Sequence, residues 1–139
     1  MDGREFLILA RELVRGRTEA HWRAAAGRAY YALMLECRSA LLRWGFKVPG
    51  GPGTHGFIRL RYNAAGEPDL RTVSHALDNL LRLRNFADYE IPYSRSFTTD
   101  QRARAAIQES TDALDLLDAI ESDVVRRDAA IAALQATWP

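Results

Sequence analysis

One cysteine, Cys37, and one lysine, Lys47, stand in a chain of 139 residues. A lone cysteine forms no intramolecular disulfide and no zinc-type cysteine cluster, so the composition fits a reducing cytoplasm. Long apolar runs are missing too. Nothing approaches the roughly 20 apolar residues that span a membrane. Arg4, Glu5, Arg11 and Glu12 interrupt the FLILA run, so no signal-peptide core is expected. The histidines His21, His55 and His75 lie far apart and none has HExxH spacing. No metal or other cofactor is therefore expected. Nucleophile chemistry has neither an elbow motif nor a base partner for a serine or for Cys37.

What is present is arginine. All of the 19 basic residues except Lys47 are arginine, the side chain suited to bidentate contact with phosphate or carboxylate. A coding preference for arginine explains the same bias, so composition alone assigns no nucleic-acid surface. The charge is uneven. Residues 1–54 carry nine basic and five acidic groups (+4), residues 55–104 eight and six (+2), and residues 105–139 two and seven (−5). The length fits one domain, residues 1–139, that buries roughly two-thirds of its unfolded surface.

Helical periodicity dominates. Asp2 and Glu5 have capping-box spacing ahead of Phe6, Leu9, Ala10, Leu13 and Val14. Thr18 is placed to cap a long helix from Glu19 to about Trp44, stopped by Gly45. That helix is apolar on two sides, one through His21, Ala25, Arg28, Ala32 and Leu42, the other through Trp22, Ala26, Ala29, Leu33, Cys37 and Ala40. Such a helix packs on two sides. VPGGPGTHG, residues 48–56, is a connector; no Lys-Ser or Lys-Thr follows its glycines, so it lacks P-loop spacing. Thr54 is expected to cap a short helix through Phe57, Ile58 and Leu60, and Asp69 to cap the next long one. A loop around Pro92 follows, and Thr98 with Gln101 is expected to open a final helix through Leu114, Leu117, Val124 and Leu134 to about Ala136. The prediction is an all-α, up-and-down bundle of four main helices plus a short one.

The stretch LLRLRNFADY, residues 80–89, carries the candidate site. At about 100° per residue, Leu70, Val73, Leu77, Leu81, Arg84 and Asp88 fall within roughly 40° of one line. Arg84 and Asp88 thus continue an apolar stripe, where a charge must be paired or recruited for function. Asn85 and Tyr89 share a neighbouring face. Arg28 lies in a similar stripe beside Tyr30 and Tyr31. Two readings follow. Arg28, Tyr31, Arg84 and Asp88 form an anion or nucleotide pocket, or Arg28 and Arg84 are structural partners of Asp88. Asp78 and Arg82 have the spacing of a surface pair.

RAYYA at residues 28–32, THGFIRL at 54–60 and LRNFADY at 83–89 together resemble the HEPN superfamily, in particular its small stand-alone prokaryotic members with an Arg-x-x-Ala-Asp-Tyr pattern. The resemblance spans about residues 5 to 130. It implies a helical bundle that forms a homodimer, with the polar motifs of two chains meeting in a cleft. It also implies RNA or nucleotide binding in a toxin–antitoxin or defence setting, and in many members metal-independent ribonuclease activity or partnership with a nucleotidyltransferase. The family motif pairs an arginine with a histidine further along the same helix. Here Arg84 and Asn85 match its first half and Tyr89 stands at the histidine position, which makes Arg84, Asn85 and Tyr89 the catalytic candidates. Tyrosine titrates near pH 10, a poor match for general acid–base work near neutrality. RNA or nucleotide binding therefore leads, with a non-catalytic nucleotidyltransferase-binding module and a weak ribonuclease as alternatives.

Overall fold

Helix α2 (Glu19–Arg43) is the axis of the molecule. Helices α1 (Arg4–Leu13), α4 (Pro68–Tyr89) and α5 (Gln101–Ser122) pack along it, α3 (Thr54–Ala64) lies on α4, and α6 (Val124–Thr137) folds against α5 and α3. The computed structural model describes residues 1–91 and 95–139. Among them the chain forms six helices and no strand, an all-α bundle. No helix among the described residues is long and apolar enough to cross a membrane.

Of the two apolar sides of α2, the one through Ala26, Ala29, Leu33, Cys37 and Ala40 is buried throughout. The other fades into solvent at His21 and Leu42. Small residues along α2 let its neighbours approach closely. The main apolar cluster joins them to Leu7, Ile58, Leu70, Leu80, Leu114 and Leu134 from the other helices. Each fully buried leucine contributes about 2 kcal/mol by leaving water. Buried hydroxyls are satisfied by backbone: Ser110 donates to the Ala29 carbonyl (2.8 Å), Ser74 to Arg59 (3.1 Å) and Tyr62 to Cys37 (3.0 Å). Cys37 itself is fully buried, and burial pushes its thiol pKa far up.

Helix ends follow the expected chemistry in part. The Thr18 hydroxyl accepts from His21 N (3.3 Å). After Arg43 the chain turns at Gly45, whose φ of 90° suits glycine, and Phe46 N returns to the Leu41 carbonyl (3.0 Å). Of the expected Asp2–Glu5 box only the return half forms, Glu5 Oε2 accepting from Asp2 N (2.8 Å); Asp2 Oδ1 accepts from Arg4 N (2.8 Å) rather than from Glu5 N, and Gly3 stands at the N-cap of α1.

Three expected caps are corrected. Thr54 spends its hydroxyl on the Pro49 carbonyl (2.6 Å), and α3 starts uncapped. With Pro68 at its N-terminus, α4 is capped by Glu67, which accepts from Leu70 N (2.8 Å); Asp69 pairs instead with Arg126 of α6 (2.7 Å). Thr98 donates to the Arg95 carbonyl, and Thr99 accepts from Gln101 N. The single final helix is also corrected. It breaks at Asp123, whose carboxylate caps α6 through Val125 N (2.9 Å) and Arg126 N (3.2 Å), and Val124 is exposed rather than part of a stripe. Pro92 lies outside the described residues.

Two contacts fix the elements that carry the site. Buried Arg23 of α2 donates to the carbonyls of Ala87 (2.7 Å) and Phe86 (3.4 Å), placing a cation on the negative end of α4. Trp138 stacks on Phe46 (4.2 Å) and meets Phe57 edge-on (5.4 Å). The glycine-rich connector is thereby held at its start and at the helix that follows it.

Candidate functional site

Arg84 leaves α4 where α2 presents Gly27. A Cβ at Gly27 would stand 3.7 Å from Arg84 Cγ, in ordinary contact. From there the guanidinium reaches Tyr31: Nη2 donates to Tyr31 Oη (3.0 Å), and Cζ lies 5.3 Å from the ring centroid. Nη1 donates to Asn85 Oδ1 (3.3 Å). Nε is 3.1 Å from Asp88 Oδ2 but is buried without an aligned hydrogen bond. Arg28, the residue after Gly27 and three before Tyr31 on α2, lies 5.6 Å from the Tyr31 centroid and 5.4 Å from that of Phe6. Two guanidinium groups thus share one tyrosine ring, each contact stabilising by about 0.5–2 kcal/mol.

Arg28 is not a second partner of Asp88; it is spent on the aromatic rings. The Arg84 side chain is 22% exposed and that of Asp88 41%, so the α4 stripe passes from core to solvent within one turn. Tyr89 is 69% exposed and stands at the rim, outside the contacts that join Arg28, Tyr31, Arg84, Asn85 and Asp88. Asp78 binds Arg82 as its spacing predicts, and also Arg59 of α3 (2.9 Å).

The site contains a residue that sequence reasoning set aside. His55, in the first turn of α3, has Nδ1 2.6 Å from Tyr30 Oη, its ring tilted on Tyr30 at 5.7 Å and edge-on to Tyr31 at 6.0 Å. Burial, and after it the Arg84 charge, holds the His55 pKa below the ordinary histidine value. Burial, with Tyr31 beside it, pushes the Tyr30 phenol up to about 12. At neutral pH the pair is an uncharged imidazole against an un-ionised phenol. Its one sequence signal was membership of THGFIRL, because an aperiodic connector separates it from Tyr30.

Other hollows carry less chemistry. Two of about 450 and 510 Å³ lie in the groove between α4 and α5, floored by residues such as Leu83, Phe86, Ala105 and Leu116. Among the described residues no three His, Cys, Asp or Glu side chains cluster as metal ligands.

No family model, curated protein or solved structure matches this chain. The functional reading rests on the side chains just described.

Proposed function

We propose that the chain is a HEPN-type protein that binds RNA or a nucleotide, in a toxin–antitoxin or defence setting, through Arg28 and Arg84. The observation that carries this reading is the pair of arginines on one Tyr31 ring with a single carboxylate, Asp88, beside them. Guanidinium groups bind phosphate oxygens through paired N–H donors, and two against one acid leave a positive seat. Tyr31 already carries both cations, so it is a support for phosphate contacts rather than a platform for a base. Exposed Tyr89 is the ring free to stack one. Two acids of the acidic segment are already engaged by arginine: Asp118 of α5 by Arg4 (2.6 Å) and Glu121 by Arg43.

Retention of end-labelled RNA in EDTA tests the reading. Wild type is expected to retain RNA less as salt rises, and Arg84→Ala to retain it about tenfold more weakly, the loss of one charge-assisted contact, while still melting cooperatively. Loss of cooperative melting in Arg84→Ala would instead mark a structural ion pair. The second reading, a non-catalytic module for a nucleotidyltransferase, is favoured by the Asp88 contact that already satisfies part of Arg84. It predicts no RNA retention and co-purification of such a partner.

A further inference from the structure

We propose that the groove between α4 and α5 is a docking site for an amphipathic helix of a partner protein, acidic in its first turn and basic in its last. The inference is independent of the RNA reading and concerns another face of α4.

The packing of the bundle leaves this groove open. Helices α2, α4 and α5 touch one another pairwise, so the triad has three outer grooves. Helix α1 lies on α2 and α5, and α3 lies on α4 and touches α2. Helix α6 meets α4 at its first turn, through Arg126 and Asp69. Apart from α2 beneath them, no described helix packs along both α4 and α5. The two hollows of about 450 and 510 Å³ share Asn79, Ala105 and Glu109, so they form one trough. Helix α4 lines it at helical spacing from Thr72 to Phe86, and α5 from Arg102 to Leu116. Those stretches run about four turns, roughly 21 Å. Half-buried Leu83, Phe86 and Leu116 give the trough apolar walls. A helix that presents apolar residues at i, i+3, i+4 and i+7 fills such a trough.

Charge selects which helix. Arg82 and Arg102 flank one end. Asp78 is shared between Arg82 and Arg59, so it neutralises neither fully, and Arg102 pairs with no acid among the described residues. That end is positive. Further along, Glu109 accepts from Asn79 (3.0 Å) and Asp112 from Gln108 (2.8 Å), both neutral amides. That part is negative. Complementarity therefore calls for carboxylates against Arg82 and Arg102, and for a base against Glu109 and Asp112. Acids in the first turn and bases in the last also suit the dipole of the docked helix itself. Its N-terminus then lies at the arginines, and it runs parallel to α5 and antiparallel to α4. The Asn79–Glu109 bond bridges the trough between its two hollows, so the residue above it is small.

The test uses two labelled, side-chain-stapled helical peptides with the same leucine and alanine stripe. One has glutamates in the first turn and lysines in the last; the other has them exchanged. Fluorescence anisotropy with the full-length protein reads affinity, and amide chemical shifts read the place. The glutamate-first peptide is expected to bind at least about tenfold more tightly than its twin, and its affinity to fall as salt rises. Arg102→Glu is expected to weaken it about tenfold, by setting like charges against each other. Ala105 is exposed and belongs to both hollows, so Ala105→Gln should melt as wild type does and weaken binding by at least about tenfold. Shifts should centre on Asn79, Leu83, Ala105 and Glu109, not on Gly27 and Tyr31. No binding, equal binding of the two peptides, or shifts on another face overturns the inference. So does self-association of the free protein that Ala105→Gln abolishes, since a second copy would then fill the groove. RNA retention is read separately, so each of these outcomes leaves the binding reading standing.

Discussion

Gly27 is the point at which α2 comes nearest to the Arg84 side chain, and the 3.7 Å gap measured for an added Cβ leaves room for a methyl group. Glycine within a helix costs about 1 kcal/mol relative to alanine. Gly27→Ala is therefore expected to raise the melting temperature by about 3 °C without displacing Arg84, as thermal melts and RNA retention together would show. A lower melting temperature would mean that the helices cannot accept even a methyl there. The stripe through Leu77, Leu81 and Arg84 was legible from spacing, because α4 keeps one helical phase over its whole length. The contrast between Arg84 and Asp88 was not legible. Both share the stripe, yet α4 outruns the core between them, and periodicity records direction without depth. His55 was hidden for another reason: its partner Tyr30 is 25 residues away, across a connector with no period to extrapolate.

At the scale of the element, the long helices could be read and their ends less so. The spacing from Leu117 through Val124 to Ile131 matches two helical turns each, so a break of one residue at Asp123 left the apparent period intact. Caps misread at Asp69 and Thr98 share a cause, since several acids and hydroxyls stand near each start and the one used depends on tertiary partners such as Arg126. Arg23 shows the same dependence from the other direction. Its guanidinium closes the C-terminus of α4 from a neighbouring helix and lies 5.0 Å from the Phe97 ring centroid. Replacing it with methionine keeps the bulk and removes the donors. Arg23→Met is expected to cost about 2 kcal/mol, as for charge-assisted bonds, and to speed amide exchange in the last turn of α4 before the rest of that helix. Unchanged exchange at Asp88 and Tyr89 would show that the turn holds itself.

Across the whole molecule, charge that is segregated along the chain is brought together in space. The −5 of residues 105–139 does not stand alone, because α5 and α6 place acids or bases against Arg4, Arg43 and Asp69 from earlier helices. One further feature makes the folded state countable. Cys37 is the chain's only thiol, it is fully buried on the axial helix, and burial keeps it from ionising, so an alkylating reagent meets sulfur only when α2 parts from its neighbours. The thiol is thus a clock that ticks once per molecule, at the first opening. Native protein is expected to be alkylated at least about 1,000-fold more slowly than protein in denaturant, and at high reagent the rate should become independent of reagent concentration and report the opening rate itself. Fast labelling of native protein would reveal a breathing motion of α2 that leaves the bundle otherwise closed.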